Sequence, residues 1–293
     1  MLRDLHIDHT ALLVHGDLIR GSGLDSQFVN TKLSTEVTST IVDVNDIKRS
    51  RYCLQVSVVV IYNLLKKAYL SSGSKLSILE WLDEEAKTSQ MCFYWRMILN
   101  YELLVLLYVR SIRQGNFELY LACIYRLLPW FFALDRYNDA RWGTVYWFDM
   151  VLLENRCPSV YESFKNGNFS FLKTKTKFSR IALDQLHEQN NKYIKSVSGA
   201  TVLVNREDDG ALVRWELCGP ELARILEEFE DNKVIKLAKH HEDTKAFIRD
   251  FEKDVDTFSK SFSSNPFLLG NSTFFNNTEM AFEPNVLDRK SVV

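Results

Sequence analysis

The sequence predicts a mainly α-helical domain with one or two short β segments, and two observations carry that expectation. Apolar residues recur at spacings of three and four through most of residues 41–262, the period of helices with one buried face. Strict alternation, the period of a strand, is confined to 169–178, followed later by a short apolar run at 200–204. A chain of 293 residues that is 46% hydrophobic has ample material for a packed interior. The expected organisation is one helical domain over 1–262. Residues 263–293, rich in Ser, Asn and scattered Phe without period, are expected to form a disordered tail.

Taken in order, residues 5–19 open in mid-pattern, with no cap or turn before them, as if the domain were joined part-way through. Gly21-Ser22-Gly23 breaks this segment, and Asp25 begins another that runs into a Thr- and Ser-rich stretch at 31–40. A long helical pattern covers 44–70, basic in its first half (Lys48, Arg49, Arg51), where either phosphate contact or a solvated first turn is expected. After a loop at 71–77, Glu80, Asp83, Glu84 and Glu85 mark the acidic N-terminal end of the next helix. The segment 91–113 is apolar on nearly every face and is expected to be the central core helix, with Trp95, Tyr101, Leu104 and Tyr108 buried beside Phe117 and Leu121. The helix from Phe117 is expected to end before Pro129, whose ring clashes with the preceding turn.

The aromatic stretch 130–147 holds a polar constellation of Asp135, Asn138, Asp139 and Arg141. In it, Arg141 is expected to pair with Asp135 or Asp139 and lock a turn, while the tryptophans pack. Pro158 opens a short helix that Gly167 closes, and the alternating stretch 169–178 leads into a helix over 181–197. Pro220 begins an amphipathic helix to about residue 239, and 244–262 is a charged helix.

Thirty-six Lys and Arg balance 38 Asp and Glu, giving a net charge of −2, so any nucleic-acid contact must come from a local patch. The five cysteines are scattered and mostly lie in apolar runs, as expected for reduced thiols of an intracellular protein. The most apolar windows, 56–65 and 103–109, are about half the length that a membrane helix needs, and no membrane span is expected. His240-His241 is a weak metal signal, because adjacent helical side chains diverge.

The densest polar segment is Asp184-Gln185-Leu186-His187-Glu188-Gln189-Asn190-Asn191. On a helix, Asp184, His187, Glu188, Asn191 and Lys195 form one polar stripe, opposite Leu183, Leu186, Tyr193 and Ile194. His187-Glu188-x-x-Asn191 departs from the zinc-protease pattern at its second histidine, and an amide is a poor zinc ligand. Carboxylates one turn apart suit Mg²⁺ better, but a two-metal site needs further acids from other elements. The other reading of the stripe is a polar network that ties helices together. No phosphate-cradling glycine loop, nucleophile elbow or kinase signature is present in the sequence.

Several stretches together resemble a family of mobile-element-derived, transposase-like proteins of animal genomes. They include Leu5-His6-Ile7-Asp8, the run from Phe132 through Asn138-Asp139-Ala140-Arg141-Trp142, the Asp184–Asn191 segment and Gly219-Pro220-Glu221-Leu222-Ala223-Arg224. The likeness spans the chain to Asn265-Pro266-Phe267, and it implies the C-terminal, helical part of a ribonuclease-H-like transposase core, intracellular or nuclear, with DNA as partner and Mg²⁺ as cofactor of the full-length parent. It makes Glu188 the late-helix acid, with Asp184 as the alternative. The strand carboxylates of the family have no counterpart here, and Asp139 stands where the family has Tyr or His. The resemblance therefore implies a catalytically incompetent fragment; the alternative is a structural or partner-binding helical protein with no nucleic-acid chemistry.

Overall fold

Helix α5 (Gln90–Gln114) is apolar on nearly every side, and the helices just before and after it, together with the first and third helices and the second strand, pack on it. A computed structural model describes residues 4–34, 43–174, 178–188 and 245–268 of the chain. Before α5 come α1 (Asp4–Ile19), α2 (Leu24–Asn30), α3 (Ile47–Ser72) and α4 (Ile78–Thr88); after it come α6 (Phe117–Ala133), α7 (Tyr137–Val151), α8 (Leu153–Arg156) and α9 (Pro158–Lys165). Strands β1 (Ser170–Leu172) and β2 (Arg180–Ala182) pair antiparallel with Phe171 opposite Ile181. Residues 183–188 are helical, and α10 (Lys245–Ser259) is the last helix among the described residues. The domain is thus mainly helical with two short antiparallel strands, as the periodicities predict. The run at 200–204 and the helix expected from Pro220 lie outside the described residues.

Local chemistry sets the helix ends. The Asp46 side chain accepts from the Lys48 and Arg49 amides at the start of α3, Ser89 caps α5, and Asn116 caps α6. Ser77 and Glu80 form a reciprocal capping box on α4. Gly115 ends α5 in the left-handed region at φ 68°, and a Cβ there would lie 2.8 Å from the Arg180 side chain. That close approach matters because Arg180 holds the hairpin: its guanidinium donates to the Gly167 and Ser170 carbonyls at 2.6 and 2.9 Å.

Four expectations need correction. Helix α6 passes through Pro129 to Ala133: the bond to the Tyr125 carbonyl is lost, but Leu127, Leu128 and Phe131 are buried on the core side and hold the last turns in place. The expected helix at 181–197 begins only at 183, because residues 180–182 pair as β2. Trp95, Tyr101, Tyr108 and Phe117 are buried, whereas Leu104 and Leu121 are only partly so. Helices α3 and α5, at 26 and 25 residues, are long and apolar enough to cross a membrane by length and composition. More than half of each apolar window is nevertheless buried within the protein, and Ser57 and Glu102 are fully buried between these helices and α1. They serve as core helices of this fold.

Residues 245–268 return to α2 and α3. Phe258 of α10 stacks on Phe28 at 4.9 Å, the Tyr52 hydroxyl donates to Asp254 at 2.6 Å, and Phe247 and Phe251 pack edge-on against the Tyr52 ring. Residues 263–268, at the start of the expected tail, stay on this surface: Asn265 donates to the Leu64 carbonyl at 2.8 Å and Phe267 is buried.

Candidate functional site

Helix α1 carries polar residues on several sides, and each meets a different element. His15 Nε2 lies 2.8 Å from Glu102 Oε1, and Ser57 donates to that same oxygen at 2.7 Å, all three residues being buried. Both bonds converge on one carboxylate oxygen, and Ser57 is not bonded to His15, so this is no nucleophile–base relay. It is a buried polar knot that ties α1, α3 and α5 together. Asp8 receives the Arg51 guanidinium, so the end of the basic cluster expected to meet phosphate or solvent is spent inside the fold. Asp17 receives Arg136 at 2.6 Å and Arg20 at 3.0 Å, and His6 lies 3.0 Å from Asp139.

The sequence-predicted stripe divides where α1 begins. The Asp184 carboxylate turns inward and accepts the Leu5 amide of α1 at 2.8 Å and the His6 amide, capping a helix that is 179 residues away in the chain. Asp4 stands beside it, taking the Tyr120 hydroxyl on its side chain, while its own carbonyl accepts from Tyr108 at 2.9 Å. Tyr146 completes the group, 3.1 Å from the Tyr120 oxygen. Burial pushes the Asp4 carboxyl up to about 7, partly offset by the Tyr120 bond and reinforced by the neighbouring Asp184. Burial likewise raises Asp184, against the lowering effect of the amides it caps. Two desolvated acids and three tyrosines thus gather at one helix N-terminus, an arrangement suited to holding a proton.

His187 and Glu188 are exposed, while Leu183, expected on the apolar side, is exposed as well. The expected stripe is therefore split: β2 fixes the entry to the helix, Asp184 faces α1 as a polar tie between helices would, and His187 and Glu188 face outward. Asn191 lies outside the described residues. The turn constellation is also rearranged. Asp135, at φ 60°, accepts the Tyr137 hydroxyl at 2.6 Å, Asn138 is exposed, and Arg141 lies over the Trp142 ring instead of pairing with Asp135 or Asp139. Arg136 does the locking through Asp17, and the only signal for it in the sequence is its place in the same turn. Asp4, Tyr108, Tyr120 and Tyr146 were not legible as a group, because they come from four elements joined only by folding. Among the described residues, no three His, Cys, Asp or Glu side chains are arranged to hold a metal ion.

Residues 22–284 match a family described as Domain of unknown function (DUF8702). No curated protein and no solved structure matches the chain.

Proposed function

The chain belongs to the DUF8702 family, and on that premise we propose that it is a structural or partner-binding helical domain, derived from a transposase-like protein and without nucleic-acid chemistry of its own. One observation carries the reading. Asp184, one of two acids that the transposase resemblance makes catalytic, spends its oxygens on the Leu5 and His6 amides of α1 and the Gln185 amide, and faces away from solvent. Two-metal chemistry needs acids from separate elements converging on two ions about 4 Å apart and open to substrate. Glu188 is on the surface, and the acids of α1 are taken up within the fold, Asp8 by Arg51, Asp17 by Arg136 and Asp4 by Tyr120. The transposon derivation is supported by the motif stretches given above, and an intracellular setting by the free, buried thiols of Cys53, Cys92 and Cys123. The test is an assay of the purified chain with labelled single- and double-stranded DNA and Mg²⁺ or Mn²⁺, alongside Glu188→Gln. No cleavage or strand transfer is expected; cleavage that disappears in Glu188→Gln would overturn the reading and make Glu188 catalytic.

A further inference from the structure

Helix α7 buries only Ala140 and Gly143, and its outer face is apolar: Trp142, Val145 and Phe148 are 58%, 49% and 54% exposed. Val145 sits at the middle of that face, one turn from each aromatic, with Arg141 and Asp149 four residues to either side. The pattern is symmetric about Val145 in apolar character and antisymmetric in charge. A helix with those properties is complementary to itself turned end for end, which is the requirement of a two-fold, isologous contact.

We propose that the partner for this face is a second copy of the chain, with two α7 helices packed antiparallel and crossing at Val145. This names the partner left open by the binding-domain reading and rests on it. In that arrangement Trp142 of one copy lies at the level of Phe148 of the other, and Arg141 of each reaches the level of Asp149 of its partner. Asp149 already accepts from Arg156 at 2.7 Å, but both side chains of that pair are about half exposed, and an exposed pair is cheaply exchanged or shared. Arg141 lies over the Trp142 ring at 5.7 Å, so its guanidinium already stands at the rim of the apolar patch. Burying two tryptophans and two phenylalanines at the centre, with charges at the rim, is the distribution of a specific protein contact. A single helix pair is small beside the ~800 Å² per partner of a standard interface, so the dimer should be reversible and concentration-dependent.

Sedimentation velocity of the full chain over a concentration series tests the pairing. Val145→Glu, at an exposed helical position that leaves the fold intact by far-UV circular dichroism, should give a monomer throughout. Arg141→Glu and Asp149→Arg should each weaken the dimer roughly tenfold, since each places two like-charged contacts in it, and combining them should restore the affinity. A wild-type monomer at every concentration, a dimer indifferent to Val145→Glu, or a double reversal that fails to recover would each overturn the proposal. A monomeric chain would leave the absence of nuclease chemistry untouched, and metal-dependent cleavage would leave the pairing untouched.

Discussion

A cap supplied from 179 residues away makes Asp184 a stability residue whose value depends on an acceptor oxygen more than on a charge. Asp184→Ala should cost about 1–2 kcal/mol of unfolding free energy in urea denaturation, the range for removing a helix cap, while Asp184→Asn keeps an acceptor and should cost less. Equal losses for the two would show that charge, not capping, is what the site uses. Asp4 gives this corner a pH dependence of definite sign. Its carboxyl is raised from 3.8 to about 7 in the folded chain, so the folded state holds the proton more tightly than the unfolded one. That contribution is fully present below about 4 and is lost as pH rises towards 7. Unfolding midpoints should therefore fall between pH 5 and pH 8 by more in the wild type than in Asp4→Asn, and parallel pH profiles would remove Asp4 from the account. None of this was legible in the sequence. The sequence marks Asp184 as a member of a polar stripe, with a network tying helices as one reading, but the helix that it caps is α1, and no local pattern records a partner on another element.

At the scale of elements, the periodicities were informative and the punctuation less so. Gly115, Asn116 and Gly167 mark real ends, whereas Pro129 does not, because propensity describes a turn in isolation and the buried Leu127, Leu128 and Phe131 outweigh it. Pro129 is exposed and forfeits the bond to the Tyr125 carbonyl, so Pro129→Ala should raise the unfolding free energy, by less than the ~3 kcal/mol that separates the two residues in an unconstrained helix. Destabilisation would mean that a bend at Pro129 is needed to seat Phe131. Helix α5 shows the limit of reading burial from composition, since a helix apolar on all sides gives no sign of which side meets the core. Ile98 is fully buried and Leu104 only partly so. Ile98→Ala should cost about 2–5 kcal/mol and Leu104→Ala clearly less, and the reverse order would reassign the core face of α5.

Across the whole molecule, the contacts that close the domain are the ones furthest apart in sequence. Residues 245–268 return to α2 and α3 through Phe258 on Phe28, Asp254 on Tyr52 and Asn265 on the Leu64 carbonyl, spanning about two hundred residues of chain. The sequence marked 244–262 as a charged helix, but it could not show where the thin apolar edge of that helix, Phe247, Phe251 and Phe258, would land. If this return is part of the core, removing its anchor should weaken everything at once. Phe258 has no exposed surface, and Phe258→Ala leaves Phe28 facing a cavity, with an expected loss of about 3–5 kcal/mol. The informative quantity is the form of the transition as well as its midpoint. Far-UV ellipticity follows the helices, and in a variant whose other five tryptophans are replaced by Phe, fluorescence follows Trp95, whose ring lies 6.2 Å from that of Phe262 beside the anchor. Both signals should move together to lower denaturant in Phe258→Ala, as one cooperative unit requires. A fluorescence change that separates from the ellipticity change would show instead that 245–268 detaches alone, leaving α1 to α6 folded without it.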